Sequence, residues 1–134
     1  MRLIFYDPVT SSAGGQLRKT IEALVPKDDL ETYATIGCLS DAIRRPTGEP
    51  TLAVLLAANR TDLEELLGIK DCASSFRIIL VVPDRKKETI AAGHLLRPRF
   101  LGFADDDFTD VAAVLSKTIR LMAEESRWCQ DKAC

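Results

Sequence analysis

Few side chains in this sequence have the types and spacings that acid–base or nucleophilic chemistry needs. His94 is the only histidine, and no Cys, Ser or acidic residue stands where it would form a catalytic pair with it. Cys38, Cys72, Cys129 and Cys134 contain no CxxC pair, whereas structural zinc usually takes four ligands. We interpret them as reduced thiols, with a metal or redox pair at Cys129 and Cys134 as the alternative. We expect no enzyme, no catalytic residue, no bound metal and no cofactor.

Three aspartates each follow a segment that reads as a strand, namely Asp7, Asp84 and Asp105. Clustered carboxylates bind divalent cations, which is one interpretation of this set. The other interpretation is that they cap loops and helix N-termini, where the helix dipole favours negative charge. We favour capping, and Asp84 is the best placed of the three to be an N-cap.

A hydroxyl- and glycine-rich loop follows the first strand, and its candidate phosphate-binding residues are Thr10, Ser11, Ser12, Gly14 and Gly15. Backbone N–H groups at the start of a helix bind phosphate in this position of many α/β folds. The loop matches neither GxGxxG nor a Walker A motif. A flexible turn with a helix cap is therefore the simpler interpretation. Few aromatics (6%) argue against a flavin.

The elements that position these residues alternate in type along the whole chain. Apolar runs predict strands at residues 3–6, 30–35, 52–57, 77–82 and 100–103, the second being polar enough for a sheet edge. Helical spacing predicts helices after each of them, at residues 17–24, 39–43, 61–67, 86–96 and 109–127. Five strand–helix units predict a parallel flavodoxin-like (βα)5 three-layer sandwich of strand order 2-1-3-4-5.

Two of these helices allow finer predictions. Thr61 and Glu64 fit a capping box at the start of the third helix, and Gly68 is a suitable end. In the fourth helix we expect Ile90, Ala91 and Leu95 to face the core. We assign residues 1–127 to one domain, the usual size for a single core, and residues 128–134 to a C-terminal tail.

The net charge of −2 gives no reason to expect nucleic acid or an anionic membrane as a partner. The first apolar run ends at Asp7 and is too short for a signal-peptide core. The longest apolar runs are also too short to span a bilayer. We therefore expect a cytoplasmic protein.

Two stretches of the sequence share their pattern with one known family. The first is Ala57-Ala58-Asn59-Arg60 followed by Leu63-Glu64-Glu65-Leu66-Leu67, and the second is residues 79–84 with residues 86–93. The first resembles the phosphoacceptor turn and third helix of response-regulator receiver domains, and the second resembles the fourth strand and helix of that family. The resemblance spans the chain in the number and spacing of its units, although other flavodoxin-like families share this architecture.

The resemblance also shows which positions would form a phosphorylation pocket. Receivers use two acidic residues after strand 1, an acceptor Asp after strand 3, a Ser or Thr after strand 4 and a Lys after strand 5. These positions fall here on Asp7 alone, Ala57, Val82 (or Pro83) and Ala104. Alanine has no nucleophile, so an aspartyl-phosphate cannot form at that position.

The resemblance implies a pseudo-receiver, that is, a signalling module that works by protein–protein contact without phosphorylation. Its partner would be another protein of a signalling pathway or a second copy of the chain. By analogy the contact surface includes Thr89, His94, Arg97 and Phe103, and Trp128 is a candidate anchor on the last helix. The alternative is a flavodoxin-like domain that binds a small phosphate-bearing ligand at the loop after strand 1.

Overall fold

The computed structural model describes residues 2–7, 12–25, 27–44, 51–57, 59–71, 76–103 and 108–133. Five strands and five α-helices alternate along this part of the chain. The strands are β1 (Arg2–Tyr6), β2 (Leu30–Tyr33), β3 (Thr51–Leu56), β4 (Arg77–Val82) and β5 (Phe100–Phe103). The helices are α1 (Ser12–Leu24), α2 (Ile36–Arg44), α3 (Arg60–Leu67), α4 (Lys87–His94) and α5 (Thr109–Ala133), with a 3₁₀ turn at Lys27–Asp29.

The five strands form one sheet in which every neighbouring pair is parallel. Its order is β2-β1-β3-β4-β5, which confirms the predicted flavodoxin-like (βα)5 fold. The polar second strand lies at one edge and is only partly buried, as its sequence predicts. The central strands β1 and β3 are buried along their whole length.

The sheet separates two apolar clusters, and alternate residues of each central strand contribute to opposite sides. Ile4 and Tyr6 of β1 belong to the cluster beneath α2, α3 and α4. Leu3 and Phe5 belong to the cluster beneath α1 and α5. Because both faces are covered by helices, the central strands are apolar without a polar alternation.

A buried arginine joins the start of β1 to β2 and α2. Arg2 is 6% exposed and forms an ion pair with Glu31 of β2. Its Nη2 also donates to the carbonyl oxygen of Ala42 in the last turn of α2, at 3.1 Å. The Tyr33 hydroxyl donates to Glu31 Oε1 at 2.5 Å. Charge-assisted bonds of this kind stabilise a buried guanidinium and cap the carbonyl end of a helix.

The N-cap of the third helix lies two residues before the predicted one. Asn59, not Thr61, is its N-cap: the Asn59 side chain accepts from the Asp62 N–H at 2.9 Å. Gly68 does end the helix, but with right-handed backbone angles that any residue adopts. Asn and Thr are both good caps, and Asn59 is the one positioned to bond the first turn.

The fourth helix is rotated relative to the prediction. Thr89 and Gly93 are its buried residues and Leu96 follows them into the core, whereas Ala91 is exposed and Leu95 is 56% exposed. A Cβ added to Gly93 would lie only 3.1 Å from Leu101 Cδ1 and 3.4 Å from Val82 Cγ1. The glycine therefore lets α4 lie close to β4 and β5.

The last helix is longer than predicted. Residues 128–133, predicted as a tail, continue helix α5 as far as Ala133. The sequence after Thr109 has no Gly or Pro to end the helix. On its buried side Val111, Leu115 and Met122 lie in the core.

The corrected cap of α3 makes a direct prediction. Asn59→Ala removes the acceptor for the Asp62 amide and should lower the free energy of unfolding by about 1 kcal/mol. The exposed Thr61→Ala, two residues later, should change it by less than about 0.5 kcal/mol. Urea denaturation of both variants measures the difference. A larger loss for Thr61→Ala than for Asn59→Ala would contradict the assigned cap.

Candidate functional site

All five parallel strands end at the same edge of the sheet, here called the carboxyl edge. In open α/β sheets this edge is where ligands bind and where chemistry takes place. Asp7 follows β1, Ala57 follows β3, and Pro83 and Asp84 follow β4. The fold therefore brings these four residues, which were predicted to follow the strands, to one edge of the sheet.

Ala57 lies in the core. It is 0% exposed, and its N–H donates to the Val81 carbonyl oxygen at 2.9 Å, which extends the ladder between β3 and β4 by one residue. Its side chain belongs to the apolar cluster beneath α2, α3 and α4. The position that matches the receiver phosphoacceptor therefore has neither a nucleophile nor access to solvent.

Val82 is also part of the core. It is 0% exposed and lies in the same apolar cluster, close to the glycine face of α4. Pro83, the other residue considered for the hydroxyl position, has no hydroxyl either. Neither residue can bind a phosphoryl oxygen through its side chain.

Two positions of the predicted pocket remain, namely Asp7 at the receiver's acidic pair and Ala104 at its lysine. Asp7 is half-buried, and its backbone N–H donates to the Tyr33 carbonyl oxygen at 2.9 Å. Ala104 and Asp105 lie outside the described residues. Within the part of the chain that the structure describes, no three His, Cys, Asp or Glu side chains are grouped to bind a metal.

Asp84 stabilises the turn before α4 instead of serving as its N-cap. The N-cap is Lys86, and Asp84 Oδ1 accepts from the Lys86 N–H at 3.0 Å. That hydrogen bond, the Thr89 hydroxyl and the positive charges of Lys86 and Arg60 hold the pKa of Asp84 below its usual value. The carboxylate is therefore ionised and engaged by its own loop.

Two further contacts hold the carboxyl edge together. Arg60 at the start of α3 lies 3.8 Å from Glu88 of α4, between Nη1 and Oε2, in an exposed ion pair. The Arg85 guanidinium lies over the Phe103 ring, 4.2 Å from its centroid, and so joins the β4–α4 loop to β5. Cation–π contacts at exposed sites stabilise by about 0.5–1 kcal/mol. These residues form a charged rim at the carboxyl edge.

The chain matches no protein-family model, no curated protein and no solved structure.

The resemblance to receivers therefore depends on the residue pattern alone. The strand order is compatible with that family, but other flavodoxin-like families share it. The fold itself is shown by the sheet and helices described above. Among the described residues, none of the helices combines the length and the apolar character that crossing a membrane requires.

The candidate phosphate loop overlaps a helix. Ser12, Gly14 and Gly15 belong to the first turn of α1, not to a loop before it. Thr10 and Ser11 lie outside the described residues. The predicted cradle is thus at most the N-terminus of α1, and phosphate binding there stays a prediction.

The predicted interface residues have different environments. Thr89 is 1% exposed and is one of the two buried residues of α4, so its side chain does not belong to the surface. His94 and Arg97 are exposed, and Phe103 is half-buried beneath Arg85. Trp128 lies on α5 within the part whose side chains are not described.

The structure describes two of the four cysteines. Cys38 is a free, exposed thiol near the start of α2. Cys129 lies on α5, and Cys72 and Cys134 lie outside the described residues. The interpretation of reduced thiols therefore stays a prediction.

Tyr6, the last residue of β1, is not among the candidate residues that the sequence suggests. Its side chain is 1% exposed, and burial, followed by the negative charges of Asp62 and Glu65 on α3, raises the pKa of its phenol to about 12. The apolar run of β1 indicates that Tyr6 is buried. Nothing in the sequence indicates that two carboxylates of α3 face it.

Tyr6 makes the stability of the protein depend on alkaline pH. Below pH 10 the phenol is protonated in both states, whereas between pH 10 and about 12 it ionises first in the unfolded chain. The free energy of unfolding should therefore fall through this range by about 1 kcal/mol for each pH unit from Tyr6. Denaturation of wild type and Tyr6→Phe as a function of pH measures this contribution.

The variant should lose less stability than wild type between pH 10 and 12, because it carries no phenol at that position. Tyr33, the only other tyrosine, has a pKa raised by burial and by its bond to Glu31, and it is present in both proteins. Parallel pH profiles for the two proteins would contradict the assignment.

Proposed function

We propose that this protein is a receiver-like signalling module that works through protein–protein contact and independently of phosphorylation. The observation that carries the proposal is the burial of Ala57 at the position matching the phosphoacceptor. Phosphoryl transfer by this fold needs a metal, a nucleophile and a charge clamp together. Asp7 is the one candidate among Asp7, Ala57 and Val82 that carries a charge.

The surface at the end of α4 favours a protein partner. Leu95 is 56% exposed, with the exposed His94 and Arg97 beside it in the chain. Leu95 and Arg97 line an open cavity of about 200 Å³, together with Phe76 and Leu96. A concave surface lined by apolar and charged side chains offers a pocket that an anchor residue of a protein partner can fill.

The backbone fixes the shape of this surface. Arg97 has a φ of 53°, which is uncommon for a residue with a side chain, and its N–H donates to the His94 carbonyl oxygen at 3.0 Å. This conformation turns the chain from α4 toward β5.

The proposed partner is another protein of a signalling pathway. The cytoplasm is the proposed compartment, because thiols such as Cys38 stay reduced there.

Beryllofluoride with Mg²⁺ tests the independence from phosphorylation. It mimics a phosphoryl group on an aspartate and should leave the melting temperature of this protein unchanged relative to Mg²⁺ alone, because Ala57 offers no carboxylate. Stabilisation by Mg²⁺ and beryllofluoride together, but by neither alone, would contradict the proposal.

A second experiment tests the contact surface. Immobilised wild-type protein should retain a partner from a lysate of the source organism, and H94E/L95D should lose most of it. The exposed Lys19→Glu on α1 is the control and should retain the same protein. A retained protein that binds all three baits equally would show that the α4 end is not the contact surface.

A further inference from the structure

The cavity at the end of α4 is lined by both basic and apolar side chains. Its described lining includes Lys70, which follows α3, and Arg97, which follows α4. Phe76, Leu95 and Leu96 supply the apolar part. Leu95, at 56%, is the most exposed of the large apolar side chains that the structure describes. The cavity thus combines apolar contact area with positive charge.

The two cations of this lining have no partner within the described part of the chain. Lys70 and Arg97 are both exposed, and neither side chain forms an ion pair or a hydrogen bond there. Asp71, the acidic residue of the described lining, already interacts with another group of the protein. Unpaired positive charge is therefore concentrated at this cavity, although the protein as a whole has a net charge of −2.

The ends of α3 and α4 do not use these cations as caps. A cation near the carbonyl end of a helix can bond the last carbonyl groups. Here backbone amides do so instead: the Lys70 N–H donates to the Leu67 carbonyl oxygen at 3.3 Å. In the same way the Arg97 N–H donates to the His94 carbonyl oxygen at 3.0 Å. The ammonium and guanidinium groups are therefore available to a ligand.

The backbone at Arg97 gives a second reason to assign a use to its side chain. Its φ of 53° lies in the left-handed region, where glycine is the least costly residue. The turn between α4 and β5 does not by itself require a side chain there. Residues held in such conformations are frequent at ligand-binding positions.

The size of the cavity indicates the kind of ligand. Its volume of about 200 Å³ is smaller than the roughly 300–1,000 Å³ of sites that enclose a small molecule. A cavity of this size that opens to solvent can accept one side chain while the rest of the ligand stays outside. Anchor side chains of protein partners fill pockets in this way.

We propose that this cavity binds a segment of a partner protein in which an apolar anchor is flanked by Asp or Glu side chains. The anchor contacts Phe76, Leu95 and Leu96. The flanking carboxylates pair with Lys70 and Arg97, whose charges they complement. The inference rests on the proposed function, which requires a protein contact at the end of α4, and adds the chemistry of the partner.

The lining favours a protein over a nucleic acid or an anionic membrane. Those partners are bound by an extended set of Lys and Arg side chains, each meeting a phosphate or a lipid headgroup. The described lining offers two unpaired cations, Lys70 and Arg97. Its apolar side chains would have no counterpart in a phosphate backbone.

Fluorescence polarisation with a synthetic peptide tests the proposal. The labelled peptide has Leu-Phe at its centre and Glu on both sides, and wild-type protein should bind it with a Kd below about 1 mM. K70E/R97E should weaken binding by about tenfold or more, because cation–carboxylate pairs become like-charge pairs. A peptide with Lys in place of each Glu should instead bind K70E/R97E more tightly than wild type.

K19E/K117E is the matched control. It makes the same change of net charge as K70E/R97E at two exposed positions on α1 and α5, and it should bind the acidic peptide as wild type does. No saturable binding by wild type, or an equal loss in K70E/R97E and K19E/K117E, would overturn the proposal. A single-stranded DNA oligonucleotide of similar length that binds more tightly than the peptide would also overturn it.

A second peptide and an NMR titration test the anchor and its place. Gly-Gly in place of Leu-Phe should weaken binding by about tenfold or more, and equal binding would overturn the apolar anchor. The acidic peptide should shift the amide signals of Phe76, Leu95 and Arg97. Signals of β2, at an edge of the sheet, should stay unchanged. Shifts confined to residues other than those of the cavity would overturn the proposed place.

The lysate experiment separates a failure of this inference from a failure of the proposed function. A partner that H94E/L95D loses and K70E/R97E retains would overturn the acidic chemistry and leave the contact surface unchallenged. A partner that both variants retain would contradict the proposed function, whether or not the acidic peptide binds.

Discussion

The burial of the central strands on both faces is the constraint on which the rest of the structure depends. Residues of β3 belong alternately to the two apolar clusters, with Ala53 and Leu55 on one side and Leu52 and Val54 on the other. From Leu52 to Leu56 every side chain of that strand is apolar and buried. Ala57, the residue after the strand, continues the same pattern at the carboxyl edge. A carboxylate there would lie in the core.

The polar interactions described above lie around this core. At the opposite end of the sheet, the pairing of Arg2 with Glu31 and with the Ala42 carbonyl ties the first strand to its edge strand and to α2. At the carboxyl edge Asp84 accepts a hydrogen bond within the turn before α4, and the Arg85 guanidinium lies over the Phe103 ring. The charged groups at that edge thus fix loops and helices. This arrangement is why the proposed function uses a contact surface and not acid–base or phosphoryl-transfer chemistry.

Sequence periodicity was sufficient for the sheet because strands buried on both faces leave a strong apolar signal. The bounds of β4 and β5 agree with the predicted runs, and so does the start of α5 at Thr109. Sequence periodicity did not predict which face of α4 is buried. Hydropathy favours Ile90 and Leu95, whereas close packing selects Gly93, whose advantage is the absence of a side chain.

The candidate site was predictable in outline and not in its contacts. Asp7, Ala57 and Asp84 do lie at the carboxyl edge, because parallel strands end there together. The raised pKa of Tyr6 depends on carboxylates that reach it only through the packing of α3 against the sheet. The buried role of Arg2 likewise depends on Glu31, distant in the sequence, and no local pattern indicates it. Such properties belong to tertiary contacts.

The stability of an Ala57→Asp variant tests the central claim most directly. If position 57 is core, the buried carboxylate should lower the free energy of unfolding by about 3 kcal/mol or more near neutral pH. The loss should shrink at acid pH, where the carboxyl is protonated in both states. Ala91→Asp, at an exposed position of α4, is the control and should cost less than about 1 kcal/mol. An Ala57→Asp protein as stable as wild type, and stabilised further by Mg²⁺, would show instead an open acceptor pocket at the end of β3.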